Sequence, residues 1–532
     1  MRQSKFTMTL KFSALLCLVL LISPIHLNAQ KKSALLPMPN SVAYKDGESF
    51  MLKNITSISI GSKDLNPSAE ALQKIIENRL GKEIPVVTGK KSDITLTIDK
   101  ALKGDEHYIL DITDKKIAIK GATPKAVFRG VMTLDQLLMN DLGMNKDGAV
   151  TAVKIDDSPR FGYRALMLDP ARNFLPVDDV KRFIDQMAKY KFNVLQLHLS
   201  DDQGWRLKLD KHPELSSPQA YSKDDIRDIV NYAADRYIDV VPELDIPGHT
   251  AAFLSVYPDL GCVHKKDEKI EVGTTVNRML CAANPEVYSL FEDVIAEVAS
   301  LFPYEYIHLG GDEAAIPENW AKCDSCLALM QQLGYDSPSQ LMIPFFDKML
   351  GFVRQNGKKP ILWCELNNIY PPADKYLFPY PEDITLVTWR ARLTPTCIEL
   401  TGKSGFPLIM APGEYTYFDY PQLKGDLPEF NNWGMPVTTL KQSYEFDPGY
   451  GLPAKDQAHI TGVMGTLWGE AIKDINRVTY MAFPRSLALA EAGWTQMENR
   501  GWDSFKERMY PNLYDLMLNG VSFRVPFEIV EP

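Results

Sequence analysis

From Tyr163 onward the hydrophobic and polar positions repeat one rhythm: a short apolar run, a loop, then a stretch with helical periodicity. Arg164-Ala-Leu-Met-Leu-Asp169 reads as the first strand. The following segment places Val177, Val180, Ile184 and Met187 on one helical face, and Val194-Leu-Gln-Leu-His-Leu199 reads as the next strand. Asp239-Val-Val-Pro-Glu-Leu244 is the third, preceded by a helix that Ser222 and Asp225 open as a capping box. Asn284 followed by Pro285 opens another helix, whose Val287, Leu290, Val294, Val298 and Leu301 point inward. Further strands are predicted at 306–309, 360–363, 385–387, 408–410 and 463–467, which makes eight in all.

Eight such steps predict an α/β fold, a (β/α)8 TIM barrel. Long insertions at 200–222, 254–283 and 411–460 each follow a strand, and so fall on the face where these barrels keep their active sites. Before the barrel the pattern differs. Short runs such as Ile94-Thr-Leu-Thr-Ile98 and Tyr108-Ile-Leu-Asp-Ile112 alternate with helical stretches at 68–80 and 128–139, which predicts a small α+β accessory domain over 30–155. Asp156-Asp-Ser-Pro-Arg160 is a turn-rich junction to a catalytic domain over 156–532 with a helical C-terminal tail.

The first 29 residues stand outside this scheme. Arg2, Lys5 and Lys11 lead into an apolar run from Phe12 to Ile22 that closes on the small Ala29, the pattern of an export signal. The run falls short of the roughly 20 apolar residues that span a bilayer. Leu16 stands before Cys17, where a lipidated cysteine would follow a small residue. The expectation is therefore an exported chain, periplasmic or secreted, with surface association left open.

Composition narrows the partners. The 532 residues carry 58 Lys and Arg against 68 Asp and Glu, a net charge of −10. Removing the leader takes away three positive charges and no negative ones, leaving −13. No basic cluster remains to bind nucleic acid, and a neutral, hydroxyl-rich substrate fits better.

Six cysteines lie beyond the leader: Cys262, Cys281, Cys323, Cys326, Cys364 and Cys397. Cys262 and Cys281 flank a charged, Gly-containing insertion that a disulfide could close. Cys323-Asp-Ser-Cys326 resembles half a zinc site, yet no second CxxC or His pair accompanies it in sequence. The expectation is a bridge or free thiols, and no metal.

Candidate chemistry sits just after each expected strand: Arg172, Asp201, Asp245 with His249, Asp312 with Glu313, Trp363, Trp389, Tyr417 with Asp419, and Trp468 with Glu470. Any one of these has an ordinary structural explanation. Their concentration at all eight strand ends does not, because burying several acids is costly without a functional return. Acids and aromatics in one mouth suit glycosidic bond cleavage, which needs a proton donor and a stabiliser for an oxocarbenium-like centre. His308-Leu-Gly-Gly-Asp-Glu313 offers two acids on one tight turn.

Five stretches carry a family resemblance: Leu168-Asp-Pro-Ala-Arg172, His198-Leu-Ser-Asp-Asp-Gln-Gly-Trp-Arg206, Pro242-Glu-Leu-Asp-Ile-Pro-Gly-His249, His308 to Glu313, and Leu467-Trp-Gly-Glu470. In this order they resemble the family 20 glycoside hydrolases, the β-N-acetylhexosaminidases, from about Leu35 through Trp494. The resemblance implies exo-acting, retaining hydrolysis of terminal β-linked GlcNAc or GalNAc from glycans, with the substrate's acetamido group as nucleophile. Glu313 matches the general acid and base. Asp312 matches the residue that holds the acetamido N–H and stabilises the oxazolinium, and Tyr417 the hydroxyl that donates to the acetamido oxygen.

The resemblance further implies that Trp363, Trp389 and Trp468 wall the acetamide pocket, and that Arg172, Asp419 and Glu470 hold the sugar hydroxyls. Asp201 and His249 resemble a pair that orients Glu313, with Asp245 assisting. Asn173 departs from the pattern, since many relatives carry His there. No cofactor or metal is implied. Two other readings stay open: a catalytically inactive glycan-binding surface protein, and a two-carboxylate glycosidase acting on non-acetylated sugars.

Overall fold

The structure, a computed structural model, describes residues 34–144, 148–262, 278–364, 383–390, 407–426, 434–449 and 452–530. The leader lies outside the described residues. The eight barrel strands are β1 (Tyr163–Leu168), β2 (Val194–His198), β3 (Asp239–Ile246), β4 (Tyr306–Gly310), β5 (Lys359–Trp363), β6 (Thr385–Thr388), β7 (Leu408–Met410) and β8 (Ile460–Leu467). They are parallel and close in chain order, with β8 pairing β1 through Leu467 and Leu168. Strand β8 starts three residues earlier than its apolar run predicts. Gly462 permits this, because a Cβ there would overlap the Tyr163 carbonyl.

Local signals act as expected. Ser222 and Asp225 cap the helix Lys223–Ala234 reciprocally, and the Asn284 side chain accepts from the Glu286 amide at the start of Pro285–Leu301. In the helix Val177–Lys189, Val180, Ile184 and Met187 are buried against the barrel. Among the described residues, no helix is long and apolar enough to cross a membrane.

The preceding region forms a seven-stranded sheet in the order Ser41–Met51, Ala149–Asp157, Tyr108–Ile112, Ile117–Gly121, Ile94–Ile98, Ile58–Ile60, Val86–Thr88. The helices Asn66–Leu80 and Pro124–Met144 cover it, the second burying Val127, Val131, Leu134 and Leu138. Sheet and barrel belong to one compact unit, residues 34–532.

Buried charge joins them. Glu106, from the loop ahead of Tyr108–Ile112, accepts from Arg129 Nε at 2.7 Å and from Arg164 Nη2 at 2.9 and 2.7 Å. Arg164 lies on β1, and Arg129 also donates to the Tyr237 carbonyl at the foot of β3. Burial raises the Glu106 pKa, but the two guanidinium charges outweigh it and hold the group at about 2. Nearby, Lys191 Nζ and Trp494 Nε1 each reach the buried Asp157 carboxylate at 2.9 Å. Glu106→Ala would leave two buried guanidinium groups without their carboxylate. We expect it to cost about 3–5 kcal/mol in urea unfolding, the usual cost of breaking a buried pair from one side; an unchanged midpoint would show that the junction does not support the fold.

Candidate active site

Each candidate side chain stands at or beyond the C-terminal end of its strand, so parallel closure alone turns eight separate segments toward one mouth. Two linked networks organise it.

The deeper network centres on Glu243, in the middle of β3 and fully buried. It takes Gln196 Nε2 at 2.8 Å and Trp363 Nε1 at 2.7 Å, and lies 2.9 Å from His198 Nδ1. His308 Nδ1 stands 3.5 Å away and accepts from the Gly310 amide at 2.9 Å. Burial opposes ionisation of Glu243, yet His198 and His308 bring its pKa down to about 2. Burial likewise disfavours a charged His198, but Glu243 and Asp201 raise its pKa well above the usual range. His308, with no comparable gain, is pushed down to about 4 by burial.

The upper network begins at Arg172. Its guanidinium pairs with Asp169 at 3.0 Å and Asp201 at 2.8 Å, and lies over the Trp468 ring at 4.8 Å. Asp201 also reaches His198 Nε2 at 2.8 Å and His249 Nδ1 at 3.3 Å. His249 Nε2 in turn stands 3.5 Å from Glu313 Oε2. Burial of Asp201 works against its charge, but Arg172 and His249 hold it well below the carboxylate range. Burial of His249 is similarly outweighed by Asp201 and Asp245, which raise it. Glu313, 45% exposed at the mouth, is lowered chiefly by its hydrogen bond with His249.

Asp312 lies behind Glu313. Burial, then the charge of Glu313, raises its pKa to about 6, although the His249 charge and a hydrogen bond with Asp245 work the other way. Burial and the Asp312 charge raise Asp245 well above its usual value, and the two hydrogen-bonded carboxyls share a proton. Asp245 Oδ1 also accepts from the Gly311 amide at 3.2 Å. Gly310, at φ +64°, is obligatory here, because a Cβ would collide with the Asp245 carboxyl.

The far wall is aromatic. Trp363 and Trp468 have ring centroids 5.8 Å apart, with Tyr417 6.3 Å from Trp468. Trp389 is nearly buried, beneath the Arg390 guanidinium at 4.2 Å. Asp419 is buried and, beside Glu470, raised well above the carboxylate range, first by burial and then by the Glu470 charge. Asn173, the departure noted above, donates to the Gly469 carbonyl at 2.6 Å and ties the β1 loop to the β8 loop.

Among the described residues, the buried polar atoms without a protein partner include Asp312 Oδ1, Asp419 Oδ1, Glu470 Oε2, Trp389 Nε1 and Arg172 Nε. All five belong to side chains singled out from the sequence. Unpaired atoms at the mouth are available to a ligand or to water. Residues missed at that level include Glu243, His198, Asp169 and Arg390. Glu243 did carry a signal: it is an acid inside an apolar barrel strand, where no face meets water.

Three acid–histidine groups here lie close enough to hold a cation: His198, Glu243 and Asp245; Asp201, Asp202 and His249; and Asp245, His249 and Asp312.

Residues 161–497 match the glycosyl hydrolase family 20 catalytic domain, and residues 32–158 match domain 2 of the same family. The chain belongs to glycosyl hydrolase family 20. A β-hexosaminidase of Akkermansia muciniphila is 36% identical, over 84% of this chain and 91% of its own. A β-N-acetylhexosaminidase of Cellulomonas fimi is 30% identical, over 90% and 92%. Among solved structures, the Streptomyces plicatus N-acetyl-β-hexosaminidase in complex with Thio-NAglucal superposes with a TM-score of 0.79 at 31% identity, covering 93% of this chain and 97% of that one.

The Asp245–Asp312 pair generates a prediction for this family 20 enzyme. Asp245→Ala removes the hydrogen bond that favours the ionised form of Asp312 without adding a charge, so Asp312 should ionise at higher pH. The acidic limb of the kcat/KM profile should lie near pH 6, where the pair loses a proton, and move up in the variant. A limb that stays in place would assign that titration to another group.

Proposed function

We propose that this β-N-acetylhexosaminidase removes the terminal non-reducing sugar by substrate-assisted catalysis, with the acetamido oxygen attacking the anomeric carbon. The observation that carries the reading is Asp312: buried, hydrogen-bonded with Asp245, with one carboxylate oxygen left unpaired and within electrostatic reach of Tyr417. A carboxylate so placed accepts the acetamido N–H, turns the acetamido oxygen toward the anomeric carbon, and stabilises the positive charge of the oxazolinium as it forms. Asp312 and Glu313 are consecutive in the chain. Two-carboxylate enzymes instead set their acids on opposite sides of the scissile bond.

Glu313 is the proton carrier. In the free enzyme His249 keeps it ionised, but a sugar and its leaving group seated at the mouth cover the exposed carboxyl and raise its pKa by desolvation. It then protonates the glycosidic oxygen, and as carboxylate takes the proton of the water that opens the oxazolinium. Tyr417 donates to the acetamido oxygen, and Trp363, Trp389 and Trp468 enclose the acetamide. Asp419, Glu470 and Arg172 hold the ring hydroxyls with the atoms they leave unpaired. Asp201 and His249 are positioning residues for Glu313. An export signal in the first 29 residues fits glycans met outside the cytoplasm, and a periplasmic or secreted location is part of this proposal.

Glu313→Gln should lower kcat by a factor on the order of 10² to 10⁴, with less loss on substrates whose leaving group needs no proton. Equal, near-wild-type rates on both kinds of substrate would remove Glu313 from the acid role. Asp312→Asn should cost about 2–4 kcal/mol in transition-state stabilisation, read from kcat/KM. In the unaltered enzyme, a thiazoline analogue of the cyclic intermediate should bind far more tightly than the product sugar. A covalent sugar ester trapped on any Asp or Glu would refute substrate assistance and leave the glycosidase standing.

A further inference from the structure

Four of the six cysteines beyond the leader converge on one point. The sulfurs of Cys262, Cys281, Cys323 and Cys326 all lie within 4.8 Å of one another. Cys262 and Cys326 are 3.7 Å apart, Cys281 and Cys326 3.6 Å, and Cys281 and Cys323 3.9 Å. None of the four is in a disulfide, so the bridge expected between Cys262 and Cys281 is not made. A disulfide brings sulfurs to about 2.05 Å, whereas a tetrahedron of thiolates at about 2.3 Å from a central zinc has edges of about 3.8 Å. The observed separations match the tetrahedron. Cys364, by contrast, is disulfide-bonded in the same structure.

The surrounding backbone holds the four sulfurs in place. Cys323 and Cys326 flank the first turn of the helix Asp324–Gln332, a CxxC placed at a helix start. Cys262 and Cys281 come from two antiparallel segments joined through Gly261 and Leu280, with the Cys262 amide donating to Met279 and the Cys281 amide to Leu260. Trp320, fully buried, donates its Nε1 to the Leu280 carbonyl at 2.9 Å and locks the two halves together. Cys262, Cys281 and Cys326 are buried and Cys323 is partly exposed, which leaves an entry path on one side.

We propose that these four cysteines together bind one structural zinc ion. Four thiolates complete a tetrahedral shell and leave no position for substrate or water, the mark of a structural and not a catalytic zinc. The site staples the loop after β3, which carries His249, to the loop after β4, which carries Glu313. It closes a long stretch of chain, since Cys262 and Cys326 are 64 positions apart. The His249–Glu313 contact spans these two loops, so the metal would hold the supports of the proton carrier without touching it.

The test begins with the purified full-length enzyme. Metal analysis should find one zinc per chain, and the four thiols should resist alkylation in the folded protein until a strong chelator removes the metal. Chelation should lower Tm by several degrees, and one equivalent of Zn2+ should restore it. Cobalt exchanged into the site should show the visible bands of tetrahedral thiolate coordination, a readout that survives even if Cys281→Ser does not fold. If Cys281→Ser does fold, it should lose the zinc. Metal-free protein with four freely alkylated thiols would overturn the proposal. So would two disulfides among these cysteines by mass spectrometry, or iron in place of zinc.

Discussion

Glu243 is a carboxylate at the centre of the barrel, out of reach of water, and the mouth depends on how that charge is compensated. An isolated buried charge would neutralise itself or unfold its surroundings, so it must gather partners. Gln196, His198 and Trp363 supply them, from β2 and β5 on either side. His198 carries the effect upward, because an imidazolium shared between Glu243 and Asp201 positions Asp201, and Asp201 then fixes both Arg172 and His249. Trp363 carries it sideways, since its indole N–H is spent on Glu243 and its ring is left to face Trp468. Groups at the mouth thus take their orientation from a charge buried beneath it.

The backbone bears strain at two places, and both are junctions. Among the described residues, four without a glycine's freedom adopt positive φ: Lys191, Tyr237, His249 and Glu313. Such conformations cost on the order of 1–3 kcal/mol each and persist only where surrounding contacts hold them. His249 and Glu313 face each other across the mouth. Lys191 pairs with Asp157, and the Tyr237 carbonyl receives Arg129, so the other two sit where the accessory sheet meets the barrel. The accessory sheet contributes no atom to the mouth in these contacts. It clamps the N-terminal ends of the strands, opposite the end where the chemistry lies.

Much of this was legible in the chain. The periodicity of Val194–Leu199 or Leu408–Met410 is local, since a buried parallel strand must be apolar whatever it pairs with, and all eight strands stand where those runs predicted them. Once the strands and their direction are known, the residues that follow them must share a face. Arg172, Asp312 and Glu470 could therefore be named together although they are far apart in sequence.

Protonation and partnership were not legible, for a physical reason. Whether Asp245 or Asp312 holds the proton, and whether His249 is charged, depends on Coulomb energies between groups brought within a few ångströms by folding, and no spacing along the chain encodes those distances. Glu243 could be seen as an odd acid in an apolar strand, but not as the partner of His198 and Trp363. The cysteines show the same division most plainly. Cys323-Asp-Ser-Cys326 read as half a motif because its other half, Cys262 and Cys281, comes from a different loop. By itself the sequence predicted which side chains would stand at the mouth of the barrel, because apolar strand runs and the residues that follow them are read from neighbouring positions. Only the tertiary structure decided which of them carry charge, which leave an atom unpaired, and which four sulfurs meet, because those properties belong to distances through space.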